Sequence, residues 1–354
     1  MLFVSTLSRS CRQLVGAASL ALMASIGMVA MVSPAAAEEE VNVYSYRQPF
    51  LVKPLFDAFT EETGINVNMV YAKQGLVERL KAEGAASPAD VVLTSNVTRL
   101  VQLVENDLVQ PIASDVLEEN VPANFRDPAG LWFGLTMRGR VIYASKERVP
   151  EGAVETYEDL ADPKWKGKVC TRKGDHDYNL DLIAAMIARN GQDETKVWLE
   201  GVKANLARKP QGNDRAQVQA IYQGLCDLSL GNTYYMGKML SNPDQKAWAE
   251  AAYIVFPNQD SGGTHVNISG AAVTKAAPHK DNAVKLLEFL SGEKAQEIYA
   301  DVNYEYPVKP GVPWSPTVKA WGEFKADTQD LADIVALRPE ALTLVNETGF
   351  NAGP

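Results

Sequence analysis

The sequence predicts an α/β protein folded as two lobes, and three observations carry that expectation. Short strand-like runs alternate with amphipathic helical segments across short connections, the pattern of largely parallel sheets covered by helices. Of 354 residues, 37 read as an export signal, and the 317 that remain are more than one core usually serves. Two crossing strands interrupt the alternation, each where the chain leaves one block and enters another.

The N-terminus sets the compartment. Arg9 and Arg12 form a positive region, Leu14 to Val32 is mostly apolar, and Ala35-Ala36-Ala37 ends in a small-residue cleavage site before Glu38. The expectation is a secretory signal peptide over 1–37, cut after Ala37. The competing reading is an uncleaved anchor, since the apolar stretch is near spanning length. The small-residue site and acidic flank favour cleavage. Cys11 precedes the apolar stretch, so it cannot become a lipid-modified N-terminus after cleavage there.

The mature chain opens with the alternating strand Val41 to Arg47, then Pro49 and an amphipathic helix to Thr63. Proline just inside a helix and Gly64 just past it are well-placed start and stop signals. A strand over Ile65 to Val70, a helix over Gln74 to Lys81, a buried strand over Val91 to Thr94 and a helix over Val97 to Glu105 complete the first block. Trp132 to Tyr143 reads as one long strand carrying the chain into a second block. There the strand Lys168 to Thr171 is followed by helices over 179–189, 194–207 and 217–223 and by the apolar run Leu225 to Leu230. His265 to Val273 is the second crossing strand. Helices over 280–290 and 292–301, a proline-rich connection over 307–316 and a helical end finish the chain. The lobes expected from this order are 38–138 with 265–308, and 139–264 with 309–354.

Charge excludes several functions. The formal net charge of −10 becomes −12 once Arg9 and Arg12 leave with the signal, which repels nucleic acid and anionic lipid surfaces. The cysteines of the mature chain are Cys170 and Cys226, each in a short apolar segment. An oxidising compartment favours their pairing if neighbouring strands bring them together, and two buried free thiols are the alternative.

One stretch stands apart chemically. In Gly231-Asn232-Thr233-Tyr234-Tyr235-Met236-Gly237 the pattern is strand, Gly-Asn turn and helix start, with two phenols in the first turn. Adjacent helical residues diverge by about 100°, so the pair cannot share one core-facing stripe, yet both can lean beyond the helix end. A Lewis-acidic cation there would favour phenolates, because a metal depresses the pKa of its ligands. Packing of one ring and solvation of the other is the competing reading. Tyr178 stands at a similar corner in Asp175-His176-Asp177-Tyr178-Asn179, where Asp177 can cap the helix that follows.

Several words together resemble the ferric-iron-binding branch of the periplasmic substrate-binding proteins of ATP-driven importers. They are Val43-Tyr44-Ser45-Tyr46-Arg47-Gln48-Pro49, Ser87-Pro88-Ala89-Asp90-Val91, Gly134-Leu135-Thr136-Met137-Arg138, Lys166-Gly167-Lys168-Val169-Cys170, Ala204-Asn205-Leu206-Ala207-Arg208-Lys209-Pro210-Gln211-Gly212, Gly231-Asn232-Thr233-Tyr234-Tyr235 and Asn267-Ile268-Ser269-Gly270. The resemblance covers the mature chain and implies a two-lobed binding-protein fold with no enzymatic activity. It implies that Tyr178, Tyr234 and Tyr235 are phenolate ligands of Fe³⁺, and that Arg47 and Arg138 hold a synergistic anion such as carbonate. It also implies a periplasmic monomer that serves an inner-membrane ABC permease and its ATPase. Some relatives carry a His or Tyr two residues after the first-strand arginine; here Pro49 stands there, which leaves Tyr46 as the remaining extra candidate.

The chemistry of the residues agrees: Fe³⁺ is a hard cation that prefers anionic oxygen donors. Each residue also has a plainer reading, surface ion pairs for the arginines and a partly exposed aromatic for Tyr178. His176, His265 and His279 are assigned no metal role. Two other functions remain as alternatives, an organic-solute carrier of polyamine type and a secreted hydrolase. The first needs carboxylates in its cleft. The second lacks a Gly-x-Ser-x-Gly elbow or a His-Glu-x-x-His helix.

Overall fold

The structure is a computed structural model that describes residues 39–354, so the signal peptide expected over 1–37 lies outside the described residues. From the N-terminus the order is β1 (Glu40–Ser45), α1 (Pro49–Thr63), β2 (Asn66–Tyr71), α2 (Leu76–Glu83), β3 (Val91–Thr94), α3 (Val97–Glu105), α4 (Asp115–Asn120) and the long β4 (Phe133–Ser145). Next come β5 (Val169–Cys170), α5 (Asp177–Asn190), α6 (Gln192–Ala204), α7 (Asp214–Tyr222), β6 (Leu228–Asn232), α8 (Tyr234–Leu240), α9 (Lys246–Glu250) and β7 (Ala252–Val255). The chain ends with β8 (Val266–Val273), α10 (Lys280–Ser291), α11 (Glu293–Asn303), β9 (Tyr306–Pro307), α12 (Pro316–Lys319), α13 (Leu331–Ala336) and α14 (Arg338–Glu347).

The first block forms as its punctuation predicts. Pro49 opens α1, and Gly64, in the left-handed region at φ 75°, closes it so that β2 follows almost at once. Strand β1 then lies parallel between β2 and β3, with Val43 opposite Met69 on one side and Val91 on the other. Helices α1 and α2 supply the crossover connections that parallel neighbours need, which explains this arrangement.

Everything else is organised on β4. Its N-terminal half pairs antiparallel with β8 and β9, Arg138 opposite Asn267, and its C-terminal half pairs with β6 and β7, Arg140 opposite Asn232. The strand order is β2-β1-β3-β8-β4-β6-β5, with β7 and β9 also on β4. Every residue of β4 and β8 is buried, the polar Thr136, Arg138, Arg140, Asn267 and Ser269 included, so neither strand alternates between a core face and a solvent face. Helix α13 packs against both α3 and α5, and α14 packs against α5 and α6.

Cys170 on β5 and Cys226 just before β6 are joined in a disulfide with Cα atoms 5.9 Å apart. Parallel pairing of Cys170 with Ser229 brings the two segments together and settles the alternative in favour of the bridge. It closes 56 residues of sequence. A loop of that length gives about 4 kcal/mol of stabilisation in the chain-entropy account.

Two local expectations change. Gly231 and Asn232 form no turn; they are the last residues of β6, held by pairing with Val141 and Arg140. Gly231 must lack a side chain, since a Cβ there would lie 2.0 Å from the Tyr143 ring. The helix expected over 217–223 begins three residues earlier, at Asp214, with Asn213 accepting from the Ala216 amide as its cap. Among the described residues no helix is long and apolar enough to cross a membrane.

Candidate metal centre

Two strand-to-helix corners bring the three predicted tyrosines together. Tyr178 occupies the first turn of α5, and its amide donates to His176 Nδ1 at 3.2 Å. His176 is therefore the N-cap, and Asp177, expected to cap, is instead the first helical residue, its carboxylate 2.7 Å from Arg338 Nη2. Burial, reinforced by the nearby Arg172 charge, pulls the His176 imidazole down to about 4, so it stays neutral and able to accept.

Tyr234 and Tyr235 open α8 directly from β6. Their rings lie 4.3 Å apart at 37°, and the Tyr234 hydroxyl is 3.2 Å from that of Tyr178. Burial raises the Tyr234 phenol well above its ordinary value, and the neighbouring Tyr178 and Tyr235 oxygens add to the shift. Burial raises Tyr235 as well. Crowded phenols of this kind keep their protons at neutral pH unless a cation replaces them.

The tyrosines share a cavity of about 270 Å³ with Arg47, Arg138, Arg215, Lys238 and Glu305. A larger hollow of about 660 Å³ lies between α1 and β2 and is lined by acidic and neutral residues such as Glu40, Asp57 and Glu61. It holds none of the predicted ligands.

The predicted arginines both enter the tyrosine cleft, but one is already engaged. Arg47, at the end of β1, grips Glu305 with both Nη atoms, at 2.7 and 3.3 Å, and donates to Ser269 Oγ. Burial pushes the Glu305 carboxyl up, but the charges and hydrogen bonds of Arg47, with help from Arg138, outweigh it and hold it below the usual range. Among the described residues Arg138 forms no ion pair with a carboxylate. Its Nη2 donates to the Ser95 carbonyl at 2.5 Å and its Nη1 to Ser269 Oγ at 3.4 Å. Ser269 thus links the two guanidinium groups.

Tyr46 lines the same cavity, but its hydroxyl accepts from the Leu76 and Val77 amides, both at 3.1 Å, at the start of α2. Arg99 lies 3.8 Å above its ring. His265 is buried just before β8, and burial, followed by Arg140 and Arg138, lowers it to about 3. His279 sits far along the chain at α10, its Nδ1 3.0 Å from Asp90.

Beneath the tyrosines lies a buried network that the sequence reading missed. Asp214 receives Arg140 Nη1 and Arg172 Nη1, each at 2.8 Å, and the Asn232 amide at 2.9 Å. Arg140 also donates to Asn179 at 2.7 Å and to the Asn232 side chain at 3.0 Å. Since Asn179 follows Tyr178 and Asn232 nearly precedes Tyr234, one carboxylate and one arginine hold both corners in register. A second tie runs from Asp181 on α5 to Asn96 at 3.0 Å and Asn267 at 2.8 Å.

Comparison with known proteins places this geometry in context. Residues 44–297 match the family described as bacterial extracellular solute-binding protein. The chain is 47% identical over 316 residues to iron uptake protein A1 of Synechocystis, covering 88% of each. It resembles the crystal structure of apo ferric ion-binding protein A from Pasteurella haemolytica at 56% identity and a TM-score of 0.83, covering 88% of this chain and 98% of that one. A Trichodesmium protein solved with iron and citrate matches at 42% identity and a TM-score of 0.85, covering 88% and 99%. These structures share the two-lobed α/β architecture expected from the sequence. The chain belongs to the bacterial extracellular solute-binding proteins, and within them it groups with ferric-ion-binding and iron-uptake proteins.

Proposed function

We propose that the chain is an exported carrier that captures ferric iron through Tyr178, Tyr234 and Tyr235 and delivers it to an ABC permease and its ATPase. The observation that carries this reading is the convergence of three phenols from two corners, with two hydroxyls 3.2 Å apart, in a cleft edged by arginine. Three phenolates supply three negative charges to a hard trivalent cation. Arg138, tied to the Ser269 that also meets Arg47, offers an anion its remaining donors, and carbonate is a planar oxyanion that an arginine fork can bind with two hydrogen bonds. Tyr46, occupied at α2, takes no part in the metal shell.

In this reading 1–37 is a signal peptide and the mature protein is a periplasmic monomer. Lobes 38–138 with 265–308 and 139–264 with 309–354 close on the cargo by bending at β4 and β8. A polyamine carrier is disfavoured by charge, because the cleft sets four cationic side chains against the single carboxylate Glu305. The family is one of solute-binding transport proteins rather than enzymes.

Addition of ferric iron and bicarbonate to the metal-free protein tests the reading. A visible phenolate-to-iron charge-transfer band and a raised melting temperature are expected. A colourless protein with an unchanged melting curve would contradict it.

A further inference from the structure

The two helices that carry the tyrosines also reach residues of the other lobe. Helix α5 does so by hydrogen bonding. The Asp181 carboxylate, one turn beyond Tyr178, accepts from Asn96 at the start of α3 at 3.0 Å and from Asn267 on β8 at 2.8 Å. Helix α8 does so by fit. Gly237, one turn beyond Tyr234, is buried against Tyr304, and a Cβ at 237 would lie 2.3 Å from Tyr304 Cγ, 2.5 Å from its Cδ1 and 2.8 Å from its Cβ. These atoms are the root of the side chain, and Cβ moves only with the backbone. The backbone of Gly237 is ordinary helix without positive φ, where alanine is the better residue. The approach of Tyr304 is therefore what requires a glycine there.

Tyr304 ends α11 in the left-handed region, at φ 58° and ψ 31°, with its amide donating to the Ala300 carbonyl at 3.2 Å. A tyrosine keeps that sparsely populated conformation where its surroundings fix it. Both neighbours in the chain are tied to the first lobe: Asn303 donates to the Leu51 carbonyl at 3.3 Å, and Glu305 pairs with Arg47. Tyr304 is thus anchored in one lobe while its ring rests on the other. Lys238, next after Gly237, extends the contact. Its Nζ lies 5.7 Å from the Phe50 ring and 6.0 Å from the Tyr304 ring, within the reach of cation–π attraction. None of these contacts is made by Tyr178, Tyr234 or Tyr235.

We propose that Tyr304 and Gly237 form a closure latch, in which the ring of the first lobe seats in the gap that glycine leaves on α8. The fit of that ring sets how far the lobes close and how long the cargo is held, separately from the bonds to iron. Parting the lobes withdraws the ring and exposes its apolar surface to water, which opposes release. A side chain at 237 acts as a wedge. This rests on the closing, iron-carrying protein proposed above and adds a determinant of closure outside the ligand set.

The test combines small-angle X-ray scattering of the metal-free protein with ferric affinity and with the rate at which excess chelator bleaches the charge-transfer band. Gly237→Ala is expected to enlarge the radius of gyration, to weaken ferric affinity by about tenfold as fewer molecules can close, and to speed release, with the band at its native wavelength. Tyr304→Gly removes the ring at a position whose backbone suits glycine, so the double variant Gly237→Ala/Tyr304→Gly should bind no more weakly than Tyr304→Gly alone. Circular dichroism checks folding. If Gly237→Ala does not fold, the tyrosine pair decides: Tyr304→Phe keeps native release and Tyr304→Gly releases faster. A native radius and release rate in Gly237→Ala, or a loss equally large on the Tyr304→Gly background, overturns the latch, as does native release in Tyr304→Gly. A colourless unaltered protein contradicts the iron reading, while the scattering of the metal-free variants still decides the latch.

Discussion

Arg47 and Glu305, 258 residues apart, meet as a two-pronged buried ion pair at the edge of the tyrosine cleft, with side chains 3% and 7% exposed. The pair gives the first-strand arginine a fixed internal counter-anion. Removing one partner strands the other charge without water. Glu305→Ala is therefore expected to cost about 3–5 kcal/mol of stability, measurable by urea denaturation. The sign with pH is determined as well. Because the folded carboxyl is held below its ordinary value, its contribution is fully present above that value and is lost as pH falls through the depressed one. The stability gap between the native protein and Glu305→Ala should narrow under acid conditions; a gap that widens on acidification contradicts this assignment.

Asp214 carries a different burden. It joins Arg140 and Arg172 and receives the Asn232 amide, so it sets the spacing of the corners that present Tyr178 and Tyr234. Asp214→Asn keeps the shape but leaves two buried arginines without an anion. Ferric affinity should fall by about 10- to 100-fold, as outer-shell changes usually do, with a shift in the charge-transfer band. Unchanged affinity and band would show that the corners are held by other means.

Iron uptake must displace protons. Burial raises the Tyr234 and Tyr235 phenols, so in the metal-free protein they are protonated at neutral pH, and each phenolate formed releases one proton. Apparent affinity should rise with pH by about tenfold per pH unit for each proton released, and fall on acidification. Titration in weakly and strongly protonating buffers measures the release directly. A pH-independent affinity would mean that the phenols do not ligate.

Much of this was legible in the chain because local signals were strong. Pro49 and Gly64 bracket α1, alternation marks β1, and the long strand pattern over 132–143 marks β4. Tyr178, Tyr234 and Tyr235 stood out because phenols at helix starts serve no core stripe. Cys170 and Cys226 were readable as strand neighbours, and their bridge follows from the pairing of β5 with β6.

The remainder depends on partners far apart in sequence. Glu305 follows α11 in an ordinary-looking segment, and nothing near it announces Arg47. Asp214 gains its role only when the register of β4 with β6 sets Arg140 opposite Asn232. The cap of α5 is His176 rather than Asp177, and Asp177 instead pairs with Arg338 from the distant α14. Gly231-Asn232 looked like a turn because its composition is that of one, yet the strand ladder claims both residues.

The central claim is that three phenolates hold the iron. Ferric binding by the native protein and by the variants Tyr178→Phe, Tyr234→Phe and Tyr234→Phe/Tyr235→Phe, read both by equilibrium dialysis and by the visible band, tests it most directly. The expected result is a weakened, shifted band in each single variant and neither colour nor bound iron in the double variant, with folding intact by circular dichroism. A double variant that binds iron with the native colour and affinity would contradict the account.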